Sequence, residues 1–247
     1  MSPRLDGRVV LITGAGSGIG RATALLASAV GATIAAVDLD DQGLEATVDV
    51  VRQSAGKIVA RVADVADRSA LTASIDSLVG DVGPLHGVFA NAAILPPPAP
   101  VEELDWREWD RVLAVNLTGA VVTLISTLGN VVDGGSLLVN GSSMAIRPRE
   151  RRLAYVASKA GLHATARALA LELAPRRIRV NVLAPGLTDT PMAWRIAGHV
   201  ESGLPSVPLG ELVPPEEVAM LAVHLLSEDA GHVTGAVFSV DGGRTAG

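Results

Sequence analysis

The sequence predicts an α/β protein built on a doubly wound parallel sheet of about seven strands, flanked by helices on both faces. Three observations predict it. Short apolar runs alternate with helix-period segments from residue 8 to residue 240, and such alternation implies right-handed crossovers that feed one parallel sheet. Hydrophobic residues make up 49% of the chain but aromatic residues only 2%. The core is therefore aliphatic, as in strands buried on both faces. Finally, 247 residues suit one well-buried core and fall short of two enzyme domains with a linker. No internal repeat or low-complexity linker divides the chain, so residues 1–247 read as one domain.

The elements follow in order. Arg8–Thr13 is an apolar strand that stops at Gly14. Gly18–Val30 has helical periodicity and ends at Gly31, a natural C-cap. Thr33–Val37 is the second strand, followed by a helix over Asp41–Ser54. Ile58–Val62 is the third strand, and Arg68–Val79 its helix. Gly87–Ala90 is a short fourth strand, after which Pro96–Pro98 and Pro100 break regular structure. Leu104–Leu128 reads as one long helical region, and Ser136–Asn140 as the fifth strand. Leu153–Leu173 is a helix ended by Ala174 and Pro175. Ile178–Leu183 is the sixth strand. Thr190–Leu212 reads as irregular, rich in Gly and Pro, and a connection this long suggests a lid near residues 190–212. Pro214, Pro215, Glu216 and Glu217 start a helix that runs to Leu226. Ala236–Val240 is the last strand.

Composition excludes several classes of function. The formal net charge of −6 disfavours binding to nucleic acid. The chain has no cysteine, which rules out disulfides, thiolate chemistry and Cys-based metal sites. His86, His163, His199, His224 and His232 form no tight ligand pair, so no metal is expected. Residues 1–6 lead directly into the first strand and do not read as a signal peptide. No apolar run is long and unbroken enough to span a membrane. The cytosol is the expected location.

Thr13-Gly14-Ala15-Gly16-Ser17-Gly18-Ile19-Gly20 lies between the first strand and the first helix. Glycines there let the backbone turn sharply and approach a pyrophosphate, while the helix N-terminus offers free N–H groups and a positive dipole end. The glycines at 14, 18 and 20 run G-x-x-x-G-x-G, unlike the general dinucleotide fingerprint. Asp38 closes the second strand, where a carboxylate can accept hydrogen bonds from the adenosine ribose hydroxyls. The same carboxylate would repel the 2′-phosphate of NADP. Neither Ser17 nor Leu39 supplies a cation to attract that phosphate, and Arg21 is on the helix. NAD is the expected cofactor.

Tyr155-Val156-Ala157-Ser158-Lys159 opens the helix over 153–173, and positions i and i+4 share one face. Free tyrosine, with a pKa of about 10, is too weakly acidic to serve as a base at neutral pH. An ammonium one turn away favours the phenolate, and a tuned phenol can exchange a proton with an alcohol or a ketone. Tyr155 is the single tyrosine of the chain. Ser142 follows the fifth strand, where its hydroxyl could polarise a substrate oxygen. Asn116 stands inside an apolar helical run, and an amide there needs a buried partner or a task.

Taken together, these pieces resemble a classical short-chain dehydrogenase/reductase over essentially the whole chain. The matching segments are TGAGSGIG at 13–20, Asp38, Asp64-Val65, Asn91-Ala92-Ala93, Asn116, Ser142, YVASK at 155–159, RVNVLAPG at 179–186 with Thr188 and Thr190, and VDGG at 240–243. The resemblance implies a Rossmann-type fold and a proton relay through Asn116, Lys159 and Tyr155, with Ser142 orienting the substrate. It also implies cofactor contacts from Gly14, Ser17, Gly18, Ile19, Gly20, Asp38, Asp64, Val65, Asn91, Tyr155, Lys159, Pro185, Gly186, Thr188 and Thr190. In that scheme Lys159 holds the nicotinamide ribose, Asp64 meets the adenine, Asn91 borders the adenosine side, and Thr188 and Thr190 hold the nicotinamide end. A homotetramer joined through its long helices is the implied assembly, and the apolar 160–173 segment suits it. Two departures stand out. Ala93 replaces the usual glycine and adds a methyl group, and Ser143 directly follows Ser142. Ungapped spacing from Ser136 and to Tyr155 selects Ser142.

The substrate end carries less information. Arg147, Arg149, Arg151 and Arg152 crowd the loop before Tyr155, and such a run reads first as a solvated loop or a subunit contact, second as a site for an anionic substrate. Met192, Trp194 and Ile196 could wall an apolar pocket or anchor the loop. The leading expectation is an enzyme that interconverts a small secondary alcohol and a ketone with NAD. The alternative is an NAD-sensing or scaffold protein without turnover, against which the set Asn116, Ser142, Tyr155 and Lys159 argues. A sugar-nucleotide epimerase would need a larger C-terminal region.

Overall fold

A computed structural model describes residues 4–196 and 198–247. Seven strands form one sheet: β1 (Val9–Thr13), β2 (Thr33–Asp38), β3 (Lys57–Val62), β4 (Leu85–Ala90), β5 (Val131–Asn140), β6 (Arg179–Pro185) and β7 (Val237–Val240). Their order is β3-β2-β1-β4-β5-β6-β7, and every pair is parallel. The order reverses between β1 and β4. A doubly wound sheet opens a crevice at such a reversal, beyond the C-terminal strand ends.

The helices cover both faces. Residues of β1 alternate between two cores, with Val9 and Leu11 on one side and Val10 and Ile12 on the other. This is the period-2 geometry of a strand buried on both faces. The first core packs α3 (Arg68–Val82), α5 (Ala120–Thr127) and α6 (Leu153–Leu173) against the sheet. The second packs α1 (Gly18–Ala29), α2 (Asp41–Gln53) and α9 (Pro215–Leu226). Small side chains do much of this work. Ala24, Ala27, Ala35 and Ala36 are fully buried, so helix and sheet approach closely.

Three elements differ from the sequence expectation. The fifth strand begins at Val131 rather than Ser136, because Val131 pairs with Leu85 before a register shift carries the ladder on to Gly87 and Ser136. Asp133, Gly134 and Gly135 in that irregular start give no apolar run to read. The long helical region over 104–128 is α4 (Trp106–Leu113) and α5 joined by a wider, π-type turn over Ala114–Gly119. Residues 190–212 are partly helical, with α7 (Pro191–Trp194) and α8 (His199–Gly203). Their one undescribed position is Ala197. A bridge between Thr188 and Val213 closes the base of this segment.

Candidate active site

The glycine loop leaves β1 and enters α1 beneath the crevice. Gly14 has φ +69°, and a Cβ there would lie 2.8 Å from the Ala92 Cα atom. Gly20 stands one turn into the helix, where a Cβ would come within 2.0 Å of the Gly14 carbonyl oxygen. These two glycines set how closely loop, helix and β4 approach one another. Ser17 is the N-cap of α1 but makes no capping bond, and no acid stands in the first turn. The helix thus enters the crevice with N–H groups left for an anion. Arg21 donates to Thr47 Oγ1 at 3.0 Å, to the Gly43 carbonyl at 2.9 Å, and to the Gly16 carbonyl. It braces the loop and is absent from the residues lining the crevice.

Asp38 ends β2 beside this loop. One carboxylate oxygen accepts from Gly16 N–H at 2.7 Å and the other from Asp40 N–H at 2.9 Å. Its carboxylate is held in place by the backbone and remains partly open to the crevice.

Side-chain amides link the strand ends. Asn91 Nδ2 donates to the carbonyls of Thr13 at 3.0 Å and Gly14 at 3.2 Å. Asn91 Oδ1 accepts from Asn140 Nδ2 at 2.8 Å. The Asn140 carbonyl accepts from Lys159 Nζ at 2.7 Å. One polar chain thus runs from the glycine loop to α6 across the ends of β1, β4 and β5. Asn140 Oδ1 is buried without a partner, and an orphaned acceptor in such a chain marks a place where a donor is missing.

Lys159 and Tyr155 are both buried, with Nζ 5.7 Å from the phenol ring centroid. Burial brings the Lys159 ammonium down to about 7. Burial also pushes the Tyr155 phenol above its ordinary value, while the Ser142 hydroxyl and the Arg152 guanidinium push it back. The i, i+4 spacing gives the task of favouring the phenolate to Lys159. In the structure, Ser142 and Arg152 favour the phenolate as well, and Lys159 lies one turn away on the same face. Ser142 Oγ accepts from Met144 N–H at 3.1 Å, which leaves its own proton for another acceptor. Ser142 N–H donates to His163 Nε2 at 3.4 Å. Burial, with Lys159 and Arg167 adding to it, takes His163 down to about 4, so it is a neutral acceptor at pH 7. Ser143 turns elsewhere and accepts from Arg244 Nη1 at 3.4 Å.

These groups share one cleft of about 580 Å³. Gly14, Ser17, Gly18, Ile19, Asp38, Asp64, Val65, Asn91, Ser142, Tyr155, Lys159, Pro185, Gly186, Thr188 and Thr190 all line it, as does Ala93. Gly20 and Asn116 do not. Gly20 is a packing position under the loop. Asn116 is fully buried in the wide turn, where its amide bonds the backbone of Ile94 and lies 3.3 Å from Ser158 Oγ.

In the lid, Met192 lines the cleft, but Trp194 turns outward to bond Asp189 Oδ1 at 2.6 Å and is 55% exposed. Ile196 is likewise off the lining, so the apolar wall expected of all three reduces to Met192. Arg151 is exposed, as the loop reading expects, whereas Arg152 is buried. It donates to the Pro96 carbonyl and to His199 Nδ1, the latter at 3.1 Å. Sequence reasoning missed Asn140, His199, Arg111, Arg195 and Arg244, all of which line the cleft. Asn140 alone left a signal, as a polar residue that closes an apolar strand.

Comparisons with known proteins agree with this geometry. A family model described as enoyl-(acyl carrier protein) reductase matches residues 14–245. The chain belongs to the classical short-chain dehydrogenase/reductase family. Among its relatives, cyclohexanol dehydrogenase of Acinetobacter sp. (strain SE19) is 36% identical, over 100% of this chain and 98% of that one. The 3-oxoacyl-[acyl-carrier-protein] reductase of Thermotoga maritima is 36% identical, over 97% and 98%. The crystal structure of levodione reductase superposes with a TM-score of 0.92 at 32% identity, covering 98% of this chain and 99% of that one. A 3-ketoacyl-(acyl-carrier-protein) reductase from Brucella melitensis, complexed with NADH, superposes at 0.90 with 30% identity, over 98% and 99%. As a short-chain dehydrogenase/reductase, the chain is an oxidoreductase of CH–OH groups that uses a nicotinamide cofactor. The cleft fits such a cofactor on its own evidence: an uncapped helix start, an acid at the end of β2, and an orphaned amide beside Lys159.

Proposed function

We propose that this short-chain dehydrogenase/reductase interconverts a small secondary alcohol and its ketone with NAD rather than NADP. The observation that carries the reading is the meeting of Ser142, Tyr155 and Lys159 at one end of a cleft whose other end holds Asp38. The N–H groups at the start of α1, with Ser17, Gly18 and Ile19, would hold the pyrophosphate. Asp38 would accept from the adenosine ribose and Asp64 would border the adenine. Val65 and Asn91 would flank the adenosine side, while Pro185, Gly186, Thr188 and Thr190 would hold the nicotinamide end. Bound NAD supplies the two-electron acceptor or donor that the protein lacks.

The remaining steps belong to side chains. Ser142 donates its free proton to the substrate oxygen and orients it. Tyr155 takes the alcohol proton as the carbonyl forms and returns it in the reverse direction. Lys159, bonded to the Asn140 carbonyl, replenishes charge near the phenol and holds the nicotinamide ribose. Asn116 contributes by fixing the chain at Ile94. The reading includes a cytosolic homotetramer of one-domain subunits. Exposed apolar residues on the long helices, Leu171 at 81% and Ile125 at 49%, would form the contact. Among the described residues, no helix is long and apolar enough to cross a membrane.

Tyr155→Phe tests the reading. It keeps the ring and removes the proton carrier. Turnover should fall by about a hundredfold or more, the scale of a positioned acid/base, while NAD affinity changes little. Near-native kcat on any secondary alcohol the wild type oxidises would refute it.

A further inference from the structure

The two ends of the cleft carry opposite charge. The carboxylates that line it are Asp38, Asp40 and Asp64, all at the glycine-loop end. The other charged or basic lining residues are Lys159 beside Tyr155, Arg111, Arg149, Arg195, Arg244 and His199; of these Arg244 bonds Ser143 next to Ser142, and Arg152 lies buried against His199. Arg244 is only 6% exposed, and among the described residues its guanidinium donates one hydrogen bond, to the Ser143 hydroxyl at 3.4 Å. Arg149 donates to Ser202 Oγ at 2.9 Å, and a side chain on Gly203 would meet Arg149 Nη1 at 3.1 Å. Among the described residues, neither guanidinium pairs with a carboxylate. The ion pairs among the described residues are Arg4–Asp6, Arg8–Glu228, Arg61–Asp81 and Arg176–Asp133, all outside the cleft. Asp241, the acid whose charge acts on Arg244, already accepts from Gly243 N–H, Thr245 N–H and Thr245 Oγ1.

A buried cation without a counter-ion is costly to keep, and several crowd together here. Besides burial, Arg147 and Arg149 bring Arg244 down, with Asp241 opposing. Burial, Arg152 and Arg149 take His199 down to about 4, so it stays neutral and adds no charge at pH 7. Guanidinium forks are suited to oxyanions, which they hold with paired, charge-assisted hydrogen bonds.

We infer that Arg149 and Arg244 bind an anionic oxyacid group, a carboxylate or a phosphate, carried by the substrate itself beside the alcohol or ketone that reacts at Tyr155. The inference rests on the reading of Tyr155 as the reacting end of the cleft. It makes the preferred substrate a hydroxy acid, a keto acid or a phosphorylated counterpart, and an uncharged alcohol a poor one.

A binding experiment tests this without requiring turnover. The full-length protein, saturated with NAD⁺, is titrated calorimetrically with cyclohexanecarboxylate, cyclohexyl phosphate and cyclohexanecarboxamide. At least one anion should bind about tenfold more tightly than the amide, and the tighter of the two anions identifies the oxyacid. Arg149→Met and Arg244→Met should each bring that preference to within about twofold. Because Arg244→Met removes an unpaired buried charge, its Tm should match or exceed that of the wild type, which separates loss of the site from loss of the fold. Equal affinity for all three probes, no binding of either anion, or a preference that survives both substitutions overturns the inference. Tyr155→Phe should keep the preference intact. A protein that discriminates by charge yet oxidises no alcohol therefore refutes the reaction and not this site.

Discussion

Asn116 clamps Ile94 from both sides: its Oδ1 accepts from the Ile94 N–H at 2.8 Å and its Nδ2 donates to the Ile94 carbonyl at 2.9 Å. A single side chain thus satisfies both backbone groups of a residue that has no strand neighbour there. Ile94 and Leu95 line the cleft, so the clamp also fixes a wall of the site.

Asn116→Ala removes the partner of both part-buried backbone groups of Ile94. Stability should fall by about 1–3 kcal/mol in urea denaturation. With the wall released, kcat should fall at least tenfold, while cofactor affinity stays within about twofold. An unchanged kcat beside the lost stability would confine Asn116 to holding the fold.

Ser142 faces Tyr155 and Ser143 faces Arg244. Ser142→Ala should therefore cost about a hundredfold or more in kcat, the scale of one lost donor at a reacting oxygen. Ser143→Ala should cost less than about fivefold. Side-by-side steady-state kinetics decide the matter, and the reverse ranking would transfer the role to Ser143.

The Asp38 carboxylate is fixed by two backbone N–H groups, so it cannot swing away from a 2′-phosphate. At 4 Å and an effective dielectric near 20, each like-charge pair costs roughly 4 kcal/mol before screening. A third of that gives about tenfold preference for NAD. Asp38→Ala should lose most of this preference, and Leu39→Arg added to it should favour NADP. The measurement is kcat/KM for both cofactors with one substrate. Equal use of the two by the wild type would remove Asp38 from cofactor selection.

Lys159 titrates near 7 in the folded protein and near 10.5 as a free side chain. Between these values the unfolded chain holds a proton that the native protein has released, so the lysine's stability penalty shrinks as pH rises, by up to about 1.4 kcal/mol per unit. Lys159→Met removes the penalty altogether. Cofactor-free Lys159→Met should therefore melt above the wild type at pH 7, and the gap in Tm should narrow steadily toward pH 10. A gap that stays constant with pH would mean that Lys159 is not buried as a titrating group.

Most of the architecture was legible because strands buried on both faces leave unbroken aliphatic runs. Thr33–Val37 and Gly87–Ala90 are legible for that reason. The start of β5 was not, since Asp133-Gly134-Gly135 carries no hydrophobic pattern and is ordered only by its neighbour β4. The glycine loop, Asp38 and the Tyr155–Lys159 pair were legible because each depends on local spacing. Arg244 and His199 were not. Arg244 meets Ser143 across 101 positions of sequence and His199 meets Arg152 across 47, contacts that only the folded chain creates. Trp194 shows the opposite error, since its bond to Asp189 decides its direction and no periodicity reports that bond.

The wide turn over Ala114–Gly119 amounts to one surplus amino acid in an otherwise regular helix. Deleting a single codon there would restore uninterrupted α-helical hydrogen bonding. It would also rotate everything on one side of the deletion by about 100°, one residue's worth of helix. Asn116 would then face away from Ile94, although the helix itself would be more regular than before. In this stretch of the gene, local helical order and the position of Asn116 are thus in conflict.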